Sequence, residues 1–133
     1  MNHKEEINGS VLLITIFATA LLSAITIGIL QMNTEEIQLM RNQIYAAEAQ
    51  AIAEAGLNDA FAEIRVIDTF NNDYNKSFAG GSYLVNIESN LPNVTIKSTG
   101  TSSQGFVSRV EADITVGSTS PYIIRIDSLR INE

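Results

Sequence analysis

Glu35 beside Glu36, and Glu111 two residues before Asp113, are the carboxylate pairs whose spacing comes nearest to general acid and base chemistry. Neither spacing suits the task. Adjacent residues of a helix point apart, and alternate residues of a strand share a polar face that solvent normally covers. The sole histidine, His3, stands almost at the N-terminus, and cysteine is absent, so the usual proton shuttle and the thiol nucleophile are both missing. Without cysteine there is also no disulfide framework and no thiolate metal site. The run from Asp68 to Gly81, DTFNNDYNKSFAGG, collects acids and amides that could ligate calcium but lacks the spacing of a known calcium loop. No glycine-rich phosphate loop occurs. The residues predict no catalytic group, no metal and no cofactor, and a protein that is not an enzyme.

Stepping from chemistry to composition, the 133 residues carry 15 acids against 8 bases, a formal net charge of -7 and a pI near 4.6. Nucleic acid is therefore not an expected partner, since phosphate binding needs clustered Lys and Arg. Hydrophobic residues make up 45% of the chain and concentrate between Val11 and Leu30, VLLITIFATALLSAITIGIL, without one charge. At the helical rise this stretch spans roughly 30 Å, enough for the hydrocarbon core of a bilayer. The rest of the chain is too short to wrap such a helix in a soluble core. A cleaved secretory signal is the rival reading, with a cut after Ala20 that would leave apolar sequence on the product. Lys4 on one flank against Arg41 on the other places the N-terminus in the cytoplasm and the polar tail outside.

Two lines of small residues run along the apolar helix. Thr15, Thr19, Ser23 and Thr26 align their hydroxyls on one face, and Ala20, Ala24 and Gly28 form a second line at spacing four. Both read as helix-packing faces, because small residues let backbones approach and hydroxyls can bond across helices. The alternative is that the hydroxyls bond their own preceding turn.

Beyond Asn33 the positions Ile37, Met40, Ile44, Ala47, Ala51 and Ala55 keep three-to-four spacing, so the helix is expected to continue amphipathically. A rod from residue 10 to 67 follows, about 85 Å long. Its stretch YAAEAQAIAEAGL, from Tyr45 to Leu57, suits tight packing against the C-terminal domain or against a neighbouring copy. Residues 68–81 read as a loop. Alternation then takes over at Tyr83, Val85 and Ile87, at Val94 and Ile96, at Phe106 and Val110 to Val116, and at Tyr122, Ile124 and Ile126. The separators are Asn90 to Pro92, Ser98 to Gly105 and Gly117 to Pro121. The expectation is an α+β fold: a long N-terminal helix, spanning the membrane over residues 10–32, then a four-stranded antiparallel meander over residues 82–133.

The short stretch Gly9-Ser10-Val11-Leu12-Leu13, followed by Ala46-Ala47-Glu48-Ala49 and Ala53-Glu54-Ala55-Gly56-Leu57, resembles the type IV pilins and pseudopilins. Within that family it is most similar to X-type minor pilins and K-type tip pseudopilins. The resemblance implies a pilin-like fold and a leader of residues 1–9, cut between Gly9 and Ser10 by a membrane-embedded prepilin peptidase. It also implies assembly with other pilin subunits into a type IV pilus-like or type II secretion-like filament outside the cytoplasmic membrane. Two departures stand out: the leader has Asn8 and Lys4 where basic residues usually crowd the glycine, and Ile14 occupies the fifth mature position, where most major pilins carry glutamate. Lacking that carboxylate, the chain resembles a minor or tip subunit. A single-pass, signal-anchored envelope protein with an extracytoplasmic β binding domain is the other class to be discriminated.

Overall fold

The computed structural model describes residues 3–66 and 73–132, with side chains over 9–66 and 73–131. The chain divides into two compact units, 1–41 and 42–133. One helix, α1 (His3–Ile64), contributes to both. It contains no proline, and its last turn tightens as Val66 N–H donates to the Glu63 carbonyl at 3.0 Å. The helix was expected over 10–67; residue 67 lies outside the described residues.

The second unit holds a five-stranded antiparallel sheet in sequence order: β1 (Tyr74–Phe78), β2 (Gly81–Asn90), β3 (Asn93–Thr101), β4 (Val107–Val116) and β5 (Ile124–Asn132). The fold is α+β, with five strands where the alternation predicted four. The added strand, β1, comes from the segment 68–81 read as a loop; 68–72 of that segment lie outside the described residues. Its sequence, YNKSF, shows no apolar alternation, because it is an edge strand exposed along most of its length. It is instead held by pairing with β2, from Tyr74 opposite Val85 to Phe78 opposite Gly81. A two-residue loop, Ala79 (φ 50°) and Gly80 (φ 81°), closes that hairpin with both residues left-handed, as the primed hairpin turns require.

A second correction concerns Ser98 to Gly105, read as a turn. Ser98 to Thr101 belong to β3, and the connection is confined to Ser102–Phe106. Serine and glycine stand there because α1 lies directly on them. A Cβ on Gly100 would sit 2.9 Å from the Ala53 Cα and closer still to the Ala49 carbonyl and the Ala53 amide nitrogen, and a Cβ on Gly56 would meet the Tyr83 ring at 2.8 Å. The composition that signals a turn here serves close backbone approach instead.

Within this unit α1 buries Ala49, Ile52, Ala53, Leu57, Ala60 and Ile64 against Tyr83, Val85 and Ile87 of β2, Val94 and Ile96 of β3, and Val110, Ala112, Ile114 and Val116 of β4. Each fully buried isoleucine contributes about 1.5–3 kcal/mol relative to exposure. The alanine-rich stretch does meet the sheet, but not through the face its spacing predicted: Ile37, Met40, Ile44, Ala47 and Ala51 are exposed and Ala55 half-buried, while Ala49, Ala53 and Ala60, on the other side of the helix, lie against the strands.

Candidate functional site: the exposed helix and its faces

The apolar helix of the first unit begins, among described side chains, at Gly9 and Ser10, both exposed. From Val11 to Leu30 every large hydrophobic side chain is at least 51% exposed, Ile14 among them at 62%. The stretch is long and apolar enough to cross a membrane, and among the described residues none of it is buried.

The hydroxyl line is engaged with its own helix. Thr15 donates to the Leu12 carbonyl at 2.8 Å, Thr19 to the carbonyls of Ile16 and Thr15 at 2.9 and 3.0 Å, Ser23 to Thr19 at 2.8 Å and Thr26 to Leu22 at 2.8 Å. The single hydrogen of each hydroxyl is thereby used. What this face offers a neighbour is small size and acceptor lone pairs, with no free donor unless a bond is exchanged. Ala20, Ala24 and Gly28 lie roughly 140° around the helix from the hydroxyls at 100° per residue. A Cβ on Gly28 or on Gly9 would meet nothing within 4 Å. The apolar helix thus presents two separate narrow faces.

Glu35 and Glu36 are exposed on α1. The structure brings Glu111 and Asp113 together on the outer face of β4, both on the Arg130 guanidinium of β5, at 2.7 and 2.8 Å. Asp113 also accepts from Ser128 and Thr95, each at 2.8 Å. The hydroxyl of Ser128, then that of Thr95 and the charge of Arg130, hold its carboxyl below the ordinary range. A carboxylate with its lone pairs so engaged is a cross-strand tie. Asp73, the described acid of the segment considered for calcium, accepts from Ile87 N–H at 3.2 Å and Asn86 Nδ2 at 2.8 Å. Among the described residues no three acids or histidines are placed to hold a metal.

One cluster had no signal in the sequence. Lys76 of β1 donates to Asp59 at 2.6 Å and to Glu63 at 3.2 Å, both on α1, while the Tyr83 hydroxyl donates to Asp59 at 3.0 Å. The ammonium also lies 4.9 Å from the centre of the Tyr74 ring. Burial pushes the Asp59 carboxyl up, but the bonds from Lys76 and Tyr83 and the lysine charge together outweigh it and hold the acid below 3.8. Burial first, then the charges of Asp59 and Glu63, raise the Tyr74 phenol. The cluster is a latch from β1 to α1. Finding it required knowing that Lys76 is on a strand beside the helix.

No protein-family model, no curated protein and no solved structure matches the chain.

Proposed function

We propose that this chain is a structural subunit of a type IV pilus-like or type II secretion-like filament, in a minor or tip position. It is held in the cytoplasmic membrane, N-terminus inside, before assembly, and reaches the outer side or cell surface afterwards. The observation that carries the reading is the uncharged helix from Val11 to Leu30, whose large apolar side chains are all exposed, on a chain whose small sheet packs its central strands against the later part of the same helix. Apolar surface on this scale needs lipid or other helices. Rods of related subunits match it in length, and head-to-tail contacts between them do not close, which gives a filament. Ile14 offers no carboxylate for a neighbour's terminal ammonium, which suits a minor or tip place. The role is mechanical: the close carboxylates of the sheet and of the latch are engaged in ion pairs, and no cofactor is called for.

The test is N-terminal sequencing of protein purified from membranes. A start at Ser10 is expected, produced by a prepilin peptidase, and Gly9→Leu should leave full-length precursor. An intact Met1 would instead identify the signal-anchored binding protein, and a start between residues 20 and 25 a secreted one. The signal-anchored reading draws on one observation: α1 runs unbroken through Gly9 from His3, so cleavage there requires the first turns of the helix to open.

A further inference from the structure

We infer that α1 carries a coiled-coil seam for the same helix of a second copy of this chain, parallel to it and in register, so that the membrane-held protein is paired before any assembly. The inference rests on the membrane anchoring proposed above but not on the filament. Leu30, Asn33, Ile37 and Met40 follow one another at steps of three, four and three. All four are exposed, the apolar ones by 60%, 49% and 55%. Upstream, Thr26, Ser23 and Thr19 keep the same alternation of four and three. The row thus repeats every 3.5 residues over about 32 Å of helix, the period that winds two helices around each other. In the apolar stretch its hydroxyls have spent their hydrogens on their own turn and leave a small, closely approachable surface. In the second unit Ile44, Ala47 and Ala51 continue the spacing and stay exposed, while Ala49, Ile52 and Ala53 take the sheet. Row and sheet use different sides of the helix there.

Charge identifies the occupant. Glu36 and Arg41 flank the row on opposite sides, and among the described residues neither has an ion-pair partner. No opposite charge stands three or four residues from either one, where a helix could pair it. The two lie about 140° apart around their own helix, too far to meet. Between parallel, in-register helices the flanking residues five apart face each other across the seam, so Glu36 of each copy meets Arg41 of the other, twice over by symmetry. Asn33 fixes the register. Opposite itself its amide bonds its twin, while a shift would bury it against Leu30 or Ile37 with its hydrogen bonds lost. The bilayer supplies direction and depth, since two copies with Val11 to Leu30 across one hydrocarbon core stand parallel and level. Subunits stacked head to tail in a filament are offset along its axis, so this level contact belongs to the membrane form.

The chain has no cysteine, so introduced thiols are unique. Full-length protein carrying Gly9→Leu, which the reading above holds in the membrane as precursor, receives Ile37→Cys, Met40→Cys or Gln38→Cys, and each variant is oxidised in isolated membranes. Disulfide-linked homodimers are expected from Ile37→Cys and Met40→Cys, because seam positions bring the two Cα atoms within the ~7 Å that a disulfide spans. None is expected from Gln38→Cys, which lies outside the row. Arg41→Glu should lower the Met40→Cys yield about threefold or more, by setting Glu36 against a like charge. Adding Glu36→Arg should restore the yield, although the acid beside the thiol remains, because the swap rebuilds both ion pairs. Equal yields at all three sites, a yield indifferent to Arg41→Glu, failure of the swap to restore it, or adducts with a different protein only would each overturn the seam. The expected crosslinks in a chain whose wild-type N-terminus stays at Met1 would uphold the pairing and sink the filament alone. A wild-type start at Ser10 with no crosslink at Ile37→Cys or Met40→Cys would do the reverse.

Discussion

Two stretches of α1 carry small residues at nearly the same spacing, and they meet opposite fates. Ala49, Ala53 and Gly56 are buried, with Ala53 against Gly100 and Gly56 against Tyr83 and Ser98. Ala20 and Ala24 are exposed, and a Cβ on Gly28 would meet nothing within 4 Å. Small helix residues in this protein thus mark a surface that another backbone approaches wherever a partner is at hand. Under the filament reading proposed above, the line of Ala20, Ala24 and Gly28 takes its partner from another subunit.

That comparison can be broken at its best-defined point. Gly100→Val places methyl groups where the Ala49 and Ala53 backbone lies, and backbone yields little. We expect a loss of about 3 kcal/mol or more in denaturant unfolding of the detergent-solubilised chain, the largest effect of any single change considered. Tolerance of valine would mean the helix and β3 are not in close contact.

A paired substitution sharpens the contrast. Ala53→Leu should destabilise the second unit by about 1–3 kcal/mol through overpacking. Ala24→Leu, the same chemical change on the uncovered line, should leave the unfolding transition and membrane insertion unchanged while lowering filament incorporation, read by crosslinking and by counting labelled subunits. Normal incorporation of Ala24→Leu would show that this line faces lipid.

The smallest effect is at the latch. Asp59 is more acidic folded than unfolded, so its stabilisation is complete above 3.8 and is lost as pH falls through the lower folded value. Lys76 is raised by its bond to Asp59, so its share persists up to the ordinary 10.5 and disappears only at still higher pH. Asp59→Asn should cost about 1 kcal/mol or less at neutral pH, since the pair is partly solvated. It should also flatten the fall in melting temperature on acidification below 3.8. An unchanged acid limb would assign that limb to other carboxylates, Asp113 and Asp127 first, both of which are held low by hydroxyl and guanidinium partners.

How much of this was legible in advance depended on whether a residue's partner was local. The alternating faces of β2 and β4 were readable because each buried position announces itself by its own side chain. Lys76 and Asp59 were not, being 17 residues apart on elements joined only by the fold. Of the expected packing residues, the hydroxyls of Thr15, Thr19, Ser23 and Thr26 bond their own turn, the alternative the sequence had left open.

By itself the sequence determined an uncharged helix of membrane-spanning length, because composition and the rise per residue suffice for that, and it determined the α+β order, because periods of 3.6 and 2 are local properties. Only the tertiary structure decided that YNKSF is a strand, that Ser98 to Thr101 continue β3, and that Ile126, Leu129 and Ile131 of β5 are left bare. Each of these depends on what lies alongside: a strand is stabilised by its neighbour's amides, a glycine by the backbone above it, and a side chain's exposure by the width of the helix that covers the sheet.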